Sequence, residues 1–190
     1  MSQVSEVKEL PQGRFLVAMS DADWEDGEAA GLARDHENQR HPHRHQTHGA
    51  EQSRSAEYSK RGGVGEKAVC VFLGVPFAGK GTLGEVDVAG RYEVKSSRHY
   101  NLLLNKKIQG VYGKGDDSQS LYIATTVSDE SREVSLIGWM YGYEAMVDDN
   151  WGDHFRNGRP CWRVPAEYLH PITTLPGLQC HSNLPSPSPS

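Results

Sequence analysis

One thirteen-residue segment constrains the fold more than any other: Gly84-Glu-Val-Asp-Val-Ala-Gly-Arg-Tyr-Glu-Val-Lys-Ser96. Its even positions Val86, Val88, Tyr92 and Val94 are apolar, and its odd positions Glu85, Asp87, Arg91, Glu93 and Lys95 are all polar. Successive side chains of a strand point to opposite faces, so this pattern specifies a hairpin with one buried and one polar face. Both strands keep their even residues inside only if the connecting loop holds an odd number of residues. A three-residue loop with Gly90 in the left-handed conformation meets that condition. A two-residue Ala-Gly turn would send Asp87 and Glu93 to opposite faces. The spacing therefore predicts that Asp87, Glu93 and Lys95 converge on one side of a sheet.

Upstream, Val64, Ala68, Val71 and Phe72 recur at i, i+4, i+7 and i+8, the buried face of a helix. Gly74 and Pro76 then give a stop signal, and Glu66 and Lys67 occupy the helix's only polar arc. Downstream, Leu102 to Leu104, Leu121 to Val127 and Val134 to Trp139 carry the period of strands. Tyr143 to about Asp149 reads as a short helix and Trp162-Arg-Val164 as a last strand. Helix, several antiparallel strands, helix and strand suggest an α/β or α+β sandwich.

The N-terminal third is less patterned. Residues 20–40 read as a weak helix, with Ser20 and Asp23 resembling a capping box and Trp24, Ala30 and Ala33 a narrow apolar edge. Gly27 and Gly31 count against it. His36 to His48 holds five histidines, a metal site or a solvated connector; Pro42 breaks any helical register there and favours the connector. The expected organisation is a flexible leader over 1–19, a weak helix and His-rich connector over 20–55, one domain over 56–176, and a disordered Ser/Pro tail over 177–190.

Composition excludes several classes. Hydrophobic residues are 36% of 190 and the mean hydropathy is −0.64, partly because the tails and connector bury nothing. No apolar run approaches the roughly 20 residues that span a bilayer, and no basic-then-apolar signal peptide opens the chain. Cys70, Cys161 and Cys180 form no CxxC pair, which argues against a disulfide scaffold or structural zinc site and favours a reducing cytoplasm. The net charge of −5 argues against a non-specific nucleic-acid coat, yet it is an average. Arg91 to Lys114 carries six basic residues and one acid; Gly115 to Asp153 carries nine acids and one base. The first block could aim a basic flank (Arg91, Arg98, Lys106, Lys107) at a phosphate backbone. The second is equally consistent with a solvated face.

Two carboxylates and a lysine on adjacent strands suit metal-assisted phosphodiester hydrolysis: oxygen ligands hold Mg²⁺, and an ammonium stabilises developing charge. Glu66 on the preceding helix could add a carboxylate. At Gly63-Val-Gly-Glu66 opening a helix, Gly84-Glu-Val-Asp87 and Glu93-Val-Lys95, the chain resembles the PD-(D/E)xK, restriction-endonuclease-like nuclease superfamily. Gly138-Trp-Met-Tyr-Gly-Tyr-Glu144 and Cys161 to Leu169 look like endings of small phage-type members. The resemblance runs from about Val64 to Ile172, and Val86 stands where the family name has proline.

The resemblance implies an α/β fold with a mixed central sheet flanked by helices. It implies Asp87, Glu93 and the Val94 carbonyl as ligands of Mg²⁺, with Mn²⁺ able to substitute. Lys95 would position the water or scissile phosphate, and Glu66 would take the helix-borne acidic role. It further implies DNA as partner, with RNA open, no membrane, a homodimer as an option, and action in the cytoplasm (the host's if phage-encoded).

Rival readings stand beside this one. Glu-x-Lys recurs at Glu6-Val-Lys8, so the tripeptide alone says nothing; a charged solvent face would also place Glu93 and Lys95 as they are. A nuclease-fold protein that binds nucleic acid or a protein partner without cutting is the second hypothesis. Gly74-Val-Pro-Phe-Ala-Gly-Lys-Gly-Thr82 matches phosphate-loop spacing to Lys80 and resembles adenylate kinases, with Ala68 to Leu73 as the strand before it. That loop must open a helix at Gly79-Lys80, and the alternating strand begins too soon at Gly84. Trp139, Tyr141, Tyr143, Trp151, Trp162 and Tyr168 read as core before base-stacking groups. His99 and His154 receive no role, and Cys70 reads as a small buried hydrophobe.

Overall fold

The apolar period at Val64 belongs to a helix longer than the pattern that announced it. The computed structural model describes residues 4–40, 52–79, 87–106, 116–156, 158 and 160–178. Helix α2 spans Gln52–Leu73, opening eleven residues ahead of Gly63. Val64, Ala68, Val69, Cys70 and Leu73 are buried along it, while Val71 and Phe72 are only partly covered. It stops as expected: Gly74 has φ +65°, its N–H bonds the Val71 carbonyl, and Val75 N–H bonds the Cys70 carbonyl. Those bonds satisfy two of the orphan carbonyls at the helix end.

Helix α1 spans Asp21–Arg40. Ser20 Oγ accepts the Asp23 N–H at 3.1 Å and donates to Asp23 Oδ2 at 2.9 Å, fixing its start. Trp24 and Ala30 are buried as expected, whereas Ala33 is exposed. The two glycines that weakened the helix pattern are its contact surface. A Cβ on Gly27 would lie 2.7 Å from Val64 Cα, and one on Gly31 would lie 2.8 Å from Lys60 Cα. With no side chain at these positions, the backbones of α1 and α2 approach directly.

Residues 6–18, expected as leader, form strands. β1 (Glu6–Leu10) and β2 (Arg14–Ala18) make a hairpin, and β2 pairs with β6 (Glu133–Tyr141) in the register Val17↔Val134. Phe15 and Val17 are buried there because β6 supplies the partner. The division at residue 55 fails for the same reason: it falls inside α2, and Phe15, Val17, Met19 and Trp24 share a core cluster with Val64 and Ile123.

Strands β3 (Tyr92–Ser97) and β5 (Leu121–Ser128) complete a five-stranded mixed sheet of order β1-β2-β6-β5-β3. β3 and β5 are parallel, not antiparallel. β4 (Asn101–Leu104), β7 (Trp151–Gly152) and β8 (Cys161–Pro165) form a second, three-stranded sheet, and the helix read over 143–149 is a four-residue α3 (Gly142–Ala145) followed by a 3-10 turn. The chain is therefore mixed α/β. One core lies between α2 and the large sheet; the other joins Tyr122, Ala124 and Ile137 to Leu102, Leu104 and Val164 of the small sheet. A bulge opposite Ala124/Thr125 lets β6 feed both, since Leu136 and Trp139 then share one face while Ile137 and Met140 share the other. Among the described residues, no helix is long and apolar enough to cross a membrane. Histidines 41–48, the tail beyond Leu178, Cys180, Glu85, Val86, Lys107 and Lys80–Thr82 lie outside the described residues.

Candidate active site

The alternation around Gly90 produces the loop its parity demands. Val88 bridges Tyr92 antiparallel, leaving Ala89, Gly90 and Arg91 between them, with Gly90 at φ +62°. Val88, Tyr92 and Val94 are buried in the core beneath α2. Asp87 immediately precedes this bridge, in a turn. β3 is the last strand of the sheet order, and Asp87 Oδ2 accepts the Val94 N–H at 2.9 Å on its outer side. The N–H and C=O of one residue in extended chain point the same way, so the Val94 carbonyl also faces this edge.

Alternation then sends Glu93 and Lys95 to the face away from α2. Lys95 Nζ lies 5.6 Å above the Tyr122 ring, which belongs to the second core. It also pairs with Asp116 Oδ1 at 2.6 Å. Burial by itself would lower the pKa of this ammonium. Asp116, and beyond it Asp87 and Glu93, more than reverse that and hold it above the usual lysine range.

Glu66 reaches the same edge from the helix side. Gly65 brings α2 against the large sheet, where a Cβ would lie 2.8 Å from Thr125 Oγ1, itself bonded to Ser96 Oγ. Glu66 is buried and paired with Arg34 Nη1 of α1 at 2.6 Å. Burial first, then the negative charge of Asp87, raise its carboxyl; Arg34 and Lys95 pull it back, and it rests at about 7. An acid held there has a proton to exchange near neutral pH.

That elevation has a measurable consequence. The folded pKa of Glu66 exceeds the ordinary 4.5, so its contribution to stability is fully present below about pH 4.5. It is lost as pH rises towards 7, a difference of about 3 kcal/mol. Glu66→Gln should remove this slope. Urea unfolding of both proteins from pH 4 to 8 measures it, and stabilities that stay parallel across that range would refute the shift.

The candidate phosphate contacts are scattered. Arg91 and Arg98 flank the two ends of β3; Arg91 lies over the Tyr92 ring at 5.7 Å, and Arg98 is bound to Glu57. Lys106 sits over Trp151 at 5.9 Å beside the small sheet. Of the aromatics, Trp139 is core, whereas Tyr143 and Tyr168 are exposed. Cys70 is buried, and burial followed by the nearby Glu66 pushes its thiol to about 12, which removes it as a nucleophile.

Two site residues have no motif in the sequence. Asp116 was one acid in an acidic block and lies 21 residues from Lys95. Arg34 had a faint signal: it falls seven positions after Gly27, on the helix face that α2 covers. Four acids (Glu66, Asp87, Glu93, Asp116) thus stand near two bases (Arg34, Lys95). This excess of oxygen donors and negative charge suits a hard divalent cation. Among the described residues, however, no group of three or more His, Cys, Asp or Glu is placed so that it could hold a metal ion. No family model, curated protein or solved structure matches the chain.

Proposed function

We propose that this chain is a metal-dependent nuclease with a restriction-endonuclease-like core, hydrolysing phosphodiester bonds in DNA. The observation that carries the reading is the gathering of Asp87, Lys95 and Glu66 around β3, with Glu66 raised by burial first and then by the charge of Asp87. Asp87, Glu93 and the Val94 carbonyl would hold Mg²⁺ or Mn²⁺, which when bound polarises a phosphate and makes water a better nucleophile. Lys95 keeps its proton and directs positive charge at the phosphate oxygens as negative charge grows on them. Glu66, near neutrality, accepts or returns a proton at its carboxylate. Arg91 and Arg98 would contact backbone phosphates on either side, and the work would take place in the cytoplasm.

The test is incubation with linear, circular and single-stranded DNA in Mg²⁺, in Mn²⁺ and in EDTA. The expected result is cleavage in either metal, none in EDTA, and a loss of at least about 10²-fold in Asp87→Ala. Cleavage that survives Asp87→Ala overturns the assignment of the site. The second reading, binding without cutting, draws on the ion pairs that already engage Lys95 and Glu66. Retention of DNA in both metals without product would favour it. The nucleotide-kinase reading loses its first requirement, because Ala68 to Leu73 is the end of α2 and not a strand.

A further inference from the structure

Lys95 is held from two sides by groups that share one anchor. Asp116 binds its ammonium directly at 2.6 Å, and the side chain of Asp116 is only 8% exposed. The second Asp116 oxygen accepts the Asn105 N–H at 2.5 Å, and Asp116 N–H donates to the Asn105 carbonyl at 3.1 Å, so the carboxylate cannot swing. Tyr122, whose ring faces the ammonium, is buried and fixed through its hydroxyl, which accepts the Asp117 N–H at 2.7 Å and donates to the Asp117 carbonyl at 3.0 Å. One dipeptide therefore sets both contacts: Asp116 with its side chain, Asp117 with its backbone.

We infer that Asp116 is the positioning residue of Lys95: with the Tyr122 ring it orients the ammonium so that its remaining N–H donors face Asp87 and Glu93. The inference rests on the reading of Lys95 as the phosphate-facing group of a nuclease. A lysine ammonium has three donors on a four-carbon stem and no preferred direction of its own. One donor taken by Asp116 and one face closed by Tyr122 leave the others a single open side. The Lys95 side chain as a whole is 32% exposed. A latch that substrate must displace would use the same ion pair with the opposite consequence, since removing Asp116 would then free Lys95.

The experiment compares Asp116→Asn, Asp116→Glu and Tyr122→Leu with the parent protein. Asp116→Asn should lower kcat for DNA cleavage by about 10- to 100-fold with KM changed less than about twofold, the scale of a misdirected group. Asp116→Glu should recover part of that loss, and Tyr122→Leu should lower kcat in the same sense. In parallel, the Nζ–H₃ signals of the lysines are followed by NMR without metal or DNA. Lys95, assigned by the signal missing in Lys95→Met, should show coupling to the Asp116 carboxylate that disappears in Asp116→Asn. Unchanged or raised kcat in Asp116→Asn overturns the proposal, as does a Lys95 signal that ignores the substitution. A parent protein that never cuts DNA but shows the coupling removes the nuclease reading and leaves only the ion pair. Cutting with no effect at Asp116 removes this inference alone. If Asp116→Asn proves poorly folded, Tyr122→Leu and the recovery in Asp116→Glu decide the matter.

Discussion

Gly31→Val should leave the protein largely unfolded at 37 °C. A Cβ at Gly31 would stand 2.6 Å from the Ser59 carbonyl carbon and 2.8 Å from Lys60 Cα, both backbone atoms of α2. A flexible side chain could give way there; a helix backbone cannot. Gly63 faces the same contact from the other helix, where its Cβ would lie 2.8 Å from Gly31 N. Relieving either clash means separating α1 from α2, which withdraws Trp24 from the core it shares with Val64. Overpacking of this kind costs about 3 kcal/mol or more, a large part of the roughly 5–15 kcal/mol that holds a domain folded. Gly62 supplies the control, because a Cβ there meets nothing within 4 Å. Gly62→Ala should stabilise by about 0.5–1 kcal/mol through helix propensity alone. Chemical denaturation of the three proteins should therefore give midpoints of opposite sign at neighbouring positions; a silent Gly31→Val would mean that the helices do not meet here.

Lys95→Met is the second large effect, and it should fall on activity. If the proposed reaction is correct, the ammonium acts on charge that develops only as the phosphate reacts. Its removal should lower kcat by about 10³-fold, the upper range for losing one such electrostatic contact. Methionine keeps the unbranched stem over Tyr122, and Asp116 retains its bonds from and to Asn105, so the fold should survive. Lys95→Arg should not restore the rate, since a planar guanidinium has neither the size nor the donor geometry of an ammonium. Cleavage rates with saturating metal, read beside thermal unfolding, separate the two outcomes. Full activity in Lys95→Met would exclude the residue from the chemistry.

Much of the site was legible because a strand writes its two faces into alternate residues. The Gly90 loop has the odd length that parity requires, Tyr92 and Val94 lie beneath α2 while Lys95 lies over Tyr122, and Glu66 with Lys67 marks the polar arc of the apolar stretch from Val64 to Phe72. Their partners were not. Nothing near Asp116 marks it as the mate of Lys95, because the pair forms only when β3 lies parallel to β5 with Lys95 beside Ala124. A parallel neighbour is joined through a long connection, so local spacing carries no trace of it.

The first strands show the same limit. Phe15, Leu16, Val17 and Ala18 are all apolar, so no alternation marks a strand in this short run after Pro11 and Gly13. β6, more than a hundred residues away, completes them. Gly27 and Gly31 counted against a helix that the structure nevertheless forms without a break; whether their low propensity matters depends on what packs against them, and here it is another backbone.

By itself the sequence determined what depends on neighbours along the chain: the parity of the hairpin, the apolar stripe of α2, its end at Gly74 and the cap at Ser20. Those follow from strand and helix periods and from the steric freedom of glycine. The tertiary structure alone decided which strands pair, which glycines serve as contact surfaces, and which charges meet, among them Arg34 with Glu66 and Asp116 with Lys95. Burial and ion pairing are summed over residues distant in the chain, and only the packed arrangement brings those residues within reach of one another.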